Sequence, residues 1–423
     1  MKKLLIKNAR VLSPEDGIDE ILDIVIRDRK IEKIGKRLTG DETMDMAGLV
    51  VCPGFIDMHV HLREPGYEEK ETVYTGTKAG LRGGFIALAC MANTKPVADN
   101  RATLEFILNQ NQKAGFLKLY PIGAVTKGQK GEELAEIADI YAAGAVAISD
   151  DGKGINSCAI MRRALEYNKM FHGPLIVHAE EQTLAKDGMM NEGLVASLLG
   201  FHGIPREAED VIVARDLELI ASTDSSVHFA HVSTLRSTAL IREAKKKGLP
   251  VSAEVTPHHL LLTDTAVKSF DTNTKVNPPL RTLNDIEALC EGLRDGTIDA
   301  IASDHAPHTF EDKDCEYSFA PFGISGVETS VPLMLTYIVK KGVLTLGDFV
   351  RKVSVNPAKI LHLPLGTIRE GTEANLTVLD LEASGEVDPE IFLSKGRNTP
   401  FKGWKYTGRA VYAIVDGRVN KIG

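Results

Sequence analysis

The chain has 423 residues, of which 43% are hydrophobic and 26% charged, with a formal net charge of −8. This length is enough for one large domain and a smaller one, each with its own core. The acidic balance without a basic patch argues against a nucleic-acid partner, and no run approaches the roughly 18 apolar residues of a membrane helix.

The start of the chain reads as an edge strand, because Lys7, Asn8 and Arg10 interrupt its apolar stretch. That composition does not fit a signal peptide. The cysteines are odd in number and lack CxxC spacing, which favours reduced thiols in a cytoplasmic protein. They are Cys52, Cys90, Cys158, Cys290 and Cys315.

The two ends of the chain are predicted to be rich in strands. Residues 4–7, 22–27 and 30–34 form short strand patterns, and Asp416-Gly417 marks a hairpin near the other end. We expect segments 1–52 and 366–423 to pair into one small β-sandwich domain. Residues 53–365 would then form the large domain.

Strand and helix patterns alternate through that central region. The strand patterns cover residues 55–61, 85–91, 117–123, 145–149, 175–178, 226–231, 251–256 and 300–303. Helical patterns between them include residues 132–141, 158–169, 206–221, 234–247 and 283–293. Alternating β and α units predict a parallel sheet, and eight of them predict an α/β fold of the (β/α)8 TIM-barrel type.

The first barrel strand carries the strongest functional signal. Asp57, His59 and His61 alternate along it, so period-2 geometry places them on one face. Two imidazoles at this spacing are half of a zinc site. Barrel chemistry lies at the carboxyl ends of the strands. There the sequence also places Asp150, Asp151, His178, His231 and Asp304. Together these residues match the ligand set of a one- or two-zinc hydrolase.

At this point the chain resembles the dihydroorotase family of the amidohydrolase superfamily. Asp-Met-His-Val-His-Leu-Arg at 57–63 and Ala-Ser-Asp-His-Ala-Pro-His at 302–308, with Lys313 downstream, are similar to its two signatures. Further similarity lies at residues 91–94, 254–259, 276–280, 321–329 and 398–401. The resemblance covers essentially the whole chain, and it implies a metal-binding barrel with a β-sandwich built from both chain ends.

The resemblance implies reversible hydrolysis of (S)-dihydroorotate to N-carbamoyl-L-aspartate, a step of pyrimidine synthesis. It assigns His59, His61 and Asp304 to one zinc, and His178 and His231 to a second. Many relatives bridge the metals with a carboxylated lysine, but residues 145–152 contain no lysine. The resemblance is therefore to the class in which an aspartate, here Asp151, replaces it. Two zinc ions are expected, with full occupancy of the second left open.

The resemblance also implies the catalytic and substrate-binding residues. Asp304 would take a proton from the attacking water and deliver it to the leaving nitrogen. Arg63 suits bidentate capture of the substrate carboxylate. The other expected substrate contacts are His61, Asn93, Asn277, His308, Phe322 and Gly323.

Several alternatives stay open at this stage. Relatives such as hydantoinases or allantoinases are one, and a non-catalytic partner of aspartate transcarbamoylase is another. An active dimer that also binds that transferase is compatible with the sequence. The polar stretch at residues 309–321 is expected to be a mobile lid, with a fixed loop as the alternative. His305 is expected to support the metal site, and His258 and His259 to be structural. Four further histidines are expected to be satisfied surface or core residues: His172, His202, His228 and His362.

Overall fold

The computed structural model describes residues 3–171 and 173–422, so the prediction for His172 lies outside the described residues. In these ranges the strands, numbered β1 to β18, are Leu4–Ser13, Ile18–Arg27, Lys30–Gly35, Glu42–Asp45, Val50–Pro53, Phe55–Val60, Phe85–Cys90, Lys118–Gly123, Ala147–Ser149, Leu175–Val177, Met190–Asn191, Gly203–Ile204, Val227–Phe229, Val251–Val255, Ala300–Ile301, Leu376–Glu386, Lys405–Val415 and Arg418–Lys421.

The α-helices of the described residues lie mostly between the central strands. They are Val73–Arg82, Arg101–Ala114, Ile137–Ala142, Cys158–Asn168, Gln182–Ala185, Leu194–Leu199, Glu207–Thr223, Leu235–Lys246, Pro257–Leu261, Leu283–Asp295, Phe310–Lys313, Ser330–Met334, Leu346–Val350 and Asn356–Ile360. Short 3₁₀ turns occur at Lys127–Gln129, Asp264–Ser269, Thr272–Thr274 and Pro389–Ile391, and π-helical turns at Leu335–Val339 and Arg351–Val355.

Eight parallel strands form the predicted barrel in chain order: β6, β7, β8, β9, β10, β13, β14 and β15. A parallel bridge between Val60 and His305 joins its first and last strands. The His61 N–H also donates to the His305 carbonyl oxygen at 2.8 Å. The predicted α/β barrel is confirmed, and its closing contacts lie beside the predicted metal ligands.

The barrel strands are buried on both faces, as expected when helices cover a parallel sheet. Every residue of β6 and β7 is buried. Apolar side chains from most barrel strands pack into one cluster in the barrel interior. Many of them are small. The buried members of this cluster are Met58, Ala89, Met91, Ile122, Ala147, Ile176, Ala230, Ala300, Ala302 and Leu361.

The chain ends form a separate eight-stranded sheet from β1–β5 and β16–β18. The two ends meet where β5 pairs antiparallel with β16, with Cys52 opposite Thr377. The predicted hairpin at Asp416-Gly417 is present, with Ile414 opposite Val419. The sheet has its own hydrophobic core. The composite terminal sheet is thus confirmed, while the exact domain boundaries at 52/53 and 365/366 stay a prediction.

One predicted helix begins later than its pattern suggests. The helical pattern at 132–141 becomes a helix only at Ile137–Ala142. The first residues of the pattern pair with the preceding loop instead. Leu134 forms an antiparallel backbone bridge with Thr126, and the Ala135 N–H donates to the Val125 carbonyl. Tertiary pairing thus overrides helical propensity here. Among the described residues, no helix has the length and hydropathy needed to cross a membrane.

The stretch at 309–321 is more ordered than predicted. It contains the short helix Phe310–Lys313, and Lys313 is buried, with its Nζ donating to the Thr272 and Pro321 carbonyls at 3.0 and 2.7 Å. Lys275 Nζ donates to the carbonyls of Tyr317 and Ser318 at 2.8 and 2.9 Å. Two lysines therefore fasten the stretch to the barrel rim. These contacts favour the fixed-loop alternative over the mobile lid.

Limited trypsin digestion tests this choice. Cleavage at Lys313 is expected to be slow without ligand and unchanged by a saturating concentration of the ring-opened compound that the resemblance implies as a ligand, because local opening must first break the buried contacts of this side chain. Lys275→Met should speed that cleavage by releasing residues 317 and 318. Strong protection by ligand in the unaltered protein would instead support the lid.

Candidate active site

One half of the predicted metal site lies at the carboxyl end of β6. His59 Nε2 is 3.4 Å from Asp151 Oδ2 and 3.5 Å from Asp304 Oδ1. His61 Nε2 is 3.5 and 3.1 Å from the same two oxygens. All four side chains are buried. Two imidazoles and two carboxylates thus face one point.

The other half lies at the ends of β10 and β13. His178 Nδ1 and His231 Nε2 are 3.0 Å apart. They are 3.7 and 3.3 Å from Asp151 Oδ1. The structure therefore brings together all six residues predicted as metal ligands.

Asp151 stands between the two halves. Its Oδ2 faces His59 and His61, and its Oδ1 faces His178 and His231. The neighbouring Asp150 points elsewhere, since its Oδ1 accepts from the Val125 and Thr126 N–H groups at 2.8 and 3.1 Å. Of this aspartate pair, only Asp151 has the geometry of a bridge.

The donor set fits divalent metal ions. His59 Nε2 is fully buried and has no hydrogen-bond partner among the described residues, an arrangement that costs free energy unless something binds the lone pair. Two groups of three side chains have their donor atoms within 4.8 Å of one another. One group is His59, His61 and Asp151, and the other is Asp151, His178 and His231. Imidazole and carboxylate together are typical zinc ligands.

Electrostatics keep the central carboxylates ionised. Burial alone would raise the pKa of Asp304, but His59, His61 and His231 outweigh it and lower that pKa below its usual range. The pKa of Asp151 is likewise lowered by His59, His231 and His61 against the effect of burial. Both groups are therefore acceptors at neutral pH, ready to bind a cation or take a proton.

Three residues of the site have left-handed backbone conformations. The φ angles are +63° at Arg63, +30° at His231 and +47° at Asp304. Such angles are uncommon outside glycine and cost roughly 1–3 kcal/mol each. Their coincidence at one barrel mouth indicates that the fold holds these side chains in directions that relaxed strands would not give.

A cavity of about 330 Å³ opens above the six residues, a size suited to a small cyclic molecule. Six of the seven predicted substrate contacts line it: His61, Arg63, Asn93, Asn277, Phe322 and Gly323. The seventh, His308, is not among the described residues that line the cavity. Four residues with no predicted substrate contact also line the cavity: Gly152, Val276, Ala306 and Pro321.

The orientation of the Asn93 amide follows from its neighbour. His61 Nδ1 is 2.8 Å from Asn93 Oδ1, and because an amide oxygen only accepts, Nδ1 carries a proton and donates it to this oxygen. Asn93 Oδ1 accepts that proton, so its Nδ2 is left to donate into the cavity. Arg63 is anchored through Nε, which donates to the Pro307 carbonyl at 3.2 Å.

His308 positions the wall of the cavity. Its Nε2 donates to the Phe322 carbonyl at 2.9 Å. Burial and the nearby cations Arg63, Lys313 and Lys70 lower the pKa of His308 to about 3, so the ring is neutral. Gly323 has φ +145°, and a Cβ there would lie 2.7 Å from the Ala306 carbonyl oxygen. Only glycine allows this close approach.

Two residues missed by sequence reasoning lie directly beneath the site. Glu254 Oε1 accepts from His59 Nδ1 at 2.6 Å, and its Oε2 contacts His228 Nε2 at 3.2 Å. His228 is fully buried, and both of its ring nitrogens have partners, Ser252 and Glu254, as expected of a satisfied core residue. Glu254 follows period 2 from Ser252 near the end of β14, and the strand-end criterion applied to that strand would have found it.

Other histidines have structural partners. His305 Nε2 lies 3.3 Å from the buried Glu71 carboxylate, and its Nδ1 accepts from the Gly326 N–H at 3.2 Å. Together with its carbonyl bond to His61, this agrees with the predicted supporting role. His259 Nε2 donates to the Pro278 carbonyl at 2.8 Å, as expected of a structural residue, and His362 is exposed.

Comparisons with known proteins show which proteins this chain resembles. The model of the dihydro-orotase-like family matches residues 48–237. The dihydroorotase of Pelotomaculum thermopropionicum is 53% identical over 99% of this chain and 98% of its own. The dihydroorotase of Geobacter metallireducens is 49% identical over 98% and 99%. Among solved structures, the L-hydantoinase (dihydropyrimidinase) of Arthrobacter aurescens has a TM-score of 0.88 at 28% identity, covering 99% of this chain and 96% of that one.

Proposed function

The chain belongs to the dihydroorotase family, and from this premise we propose that the six converging side chains hold two zinc ions. At this site (S)-dihydroorotate and N-carbamoyl-L-aspartate would interconvert through hydrolysis and closure of the ring amide. The observation that carries the proposal is the placement of Asp151, whose two oxygens face two separate histidine pairs. An aspartate with a purely structural role would not need a pair of histidines facing each of its two oxygens.

Each residue has a position that suits its proposed role. His59, His61 and Asp304 would hold one ion, His178 and His231 the other, and Asp151 would bridge them. Divalent ions held there supply Lewis-acid activation of the scissile carbonyl and of water. Asp304, ionised and lining the cavity, would accept a proton from the attacking water. It would then deliver this proton to the ring nitrogen as the amide bond breaks.

The substrate carboxylate needs donors on the cavity wall. Arg63 lines the cavity while its Nε is held by Pro307, which leaves the terminal nitrogens for the anion. Asn93 can add its Nδ2 because His61 occupies its Oδ1. His308 would act indirectly, by fixing the Phe322 carbonyl, which belongs to the wall against which the ring would lie.

Arg63→Ala is expected to raise KM for dihydroorotate with a much smaller change in kcat. The carboxylate lies away from the reacting amide, so its contact is equally strong in the ground and transition states. Steady-state kinetics check this, with Arg63→Lys as the matched variant that keeps the charge but loses bidentate geometry. An unchanged KM in Arg63→Ala would remove this residue from the carboxylate site.

Hydantoinase and allantoinase activities are disfavoured, because the hydantoinases are more distant relatives of this chain than the dihydroorotases are. The hydantoinase structures are 22–28% identical to this chain, whereas the dihydroorotases reach 47–53% over nearly its full length. A non-catalytic role is disfavoured because all six ligand residues are present and converge. Assays of the purified protein with dihydroorotate, hydantoin and allantoin, alongside zinc analysis, would separate these functions. Turnover of hydantoin but not of dihydroorotate would overturn the proposal.

We also propose that the protein is a cytoplasmic homodimer that can bind aspartate transcarbamoylase. Large apolar side chains remain exposed near the barrel mouth, among them Leu194, Leu198 and Phe319, and such exposure suits an interface. A homodimer, alone or with aspartate transcarbamoylase, would cover them. Light scattering with and without that transferase tests both. The five free cysteines support a reducing, cytoplasmic location.

A further inference from the structure

We propose that Glu254 and His228 are positioning residues that set the proton and orientation of His59 for metal binding. The inference rests on the proposed role of His59 as a ligand. It concerns a chain of hydrogen bonds beneath the site, which links β6, β13 and β14 across the barrel interior.

The contacts form a continuous series. Ser252 Oγ lies 2.8 Å from His228 Nδ1, and His228 Nε2 lies 3.2 Å from Glu254 Oε2. The other oxygen, Glu254 Oε1, lies 2.6 Å from His59 Nδ1. His59, His228 and Glu254 are each 0% exposed, so water does not compete for these bonds.

The chemistry of the groups fixes the direction of each bond. An ionised carboxylate only accepts, so His59 Nδ1 and His228 Nε2 must both carry protons. His228 Nδ1 is then an acceptor for the Ser252 hydroxyl. With a proton held on Nδ1, the nitrogen of His59 that remains for a metal ion is Nε2, the buried atom that has no hydrogen-bond partner among the described residues.

This arrangement should strengthen metal binding in two ways. It keeps the imidazole in the one tautomer that can bind through Nε2, and the buried negative charge makes that nitrogen more basic. His228 then serves to hold the second carboxylate oxygen, because an unpaired oxygen at this depth would be costly. Glu254 would otherwise be free to rotate away from His59.

The test is the zinc dissociation constant, measured by competition with a chromogenic chelator. Glu254→Leu should weaken zinc binding by roughly 10–100-fold, the usual cost of losing such a partner. Glu254→Gln should cost less. Its amide oxygen can still accept from His59, while His228 exchanges tautomer and donates to Ser252. His228→Asn, which leaves Glu254 in place, should also weaken binding.

Glu328→Leu is the matched control. Glu328 is another buried carboxylate, but it pairs with Arg82 and accepts from the Leu393 and Ser394 N–H groups. Its loss should lower the melting temperature and leave zinc affinity unchanged. Folded Glu254→Leu with the wild-type dissociation constant would overturn the inference. If that variant does not fold, unchanged affinity in both Glu254→Gln and His228→Asn would overturn it.

His59→Ala in the same assay separates this inference from the proposed function. If His59→Ala loses zinc while the Glu254 variants keep it, the metal site stands and only the positioning role fails. If His59→Ala also keeps wild-type zinc affinity, the proposed ligand set itself is wrong.

Discussion

Removal of metal with a chelator is expected to abolish hydrolysis of dihydroorotate, and added zinc should restore it. The reason is that the uncatalysed attack of water on an amide is slow, and none of the side chains facing the cavity is a nucleophile activated for that attack. His59→Ala and His178→Ala should lose zinc and rate together, because each removes one donor from a different half of the site.

The matched variant is His362→Ala, which removes an exposed histidine outside the site. It should keep both zinc content and activity. Metal analysis and initial rates on the same samples give the comparison. Full activity in protein shown to be free of metal would contradict the proposed mechanism.

Asp304→Asn is expected to lower kcat by roughly 10²-fold or more, the scale of a lost general acid–base group. Asparagine keeps the shape of the side chain, but its amide cannot take a proton from water and pass it to the leaving nitrogen. Asp304 also faces His59 and His61, so zinc content must be measured with kcat. A large fall in kcat at retained zinc content would isolate the proton-transfer role.

Asp216→Asn provides the control for loss of a buried carboxylate. Asp216 is fully buried in the helix Glu207–Thr223, where it contacts Arg215 at 2.7 Å, and it takes no part in the proposed chemistry. The kcat of the Asp216→Asn variant should match that of the wild type. If Asp304→Asn also turned over at the wild-type rate with full zinc content, another group would have to move the proton.

The barrel and the polar groups at its mouth could be predicted because their signals are local. Alternating apolar strands and amphipathic helices are recorded in short windows of sequence, and they fix the fold class. The rule that catalytic groups follow parallel strands then selects His59, His178, His231 and Asp304. Convergence of strand ends is a property of the fold class itself, so no further detail was needed.

Other features depended on contacts that the strand and helix patterns do not record. The helix expected from residue 132 begins at Ile137 because Thr126 pairs with Leu134. The stretch at 309–321 is fastened by Lys275 and Lys313, although its composition suggested a mobile lid. Neither partner is visible in the local pattern.

The same reason explains why Glu254 and His228 were missed. His59 and Glu254 are 195 positions apart, and their contact exists only because closure of the barrel places β6 and β14 on either side of β15. Sequence periodicity predicts that a residue is buried, but it does not predict which side chain the residue contacts in the interior. The residues of the candidate metal site could therefore be selected from the sequence, whereas the hydrogen-bond partners and directions of their side chains were decided by tertiary packing.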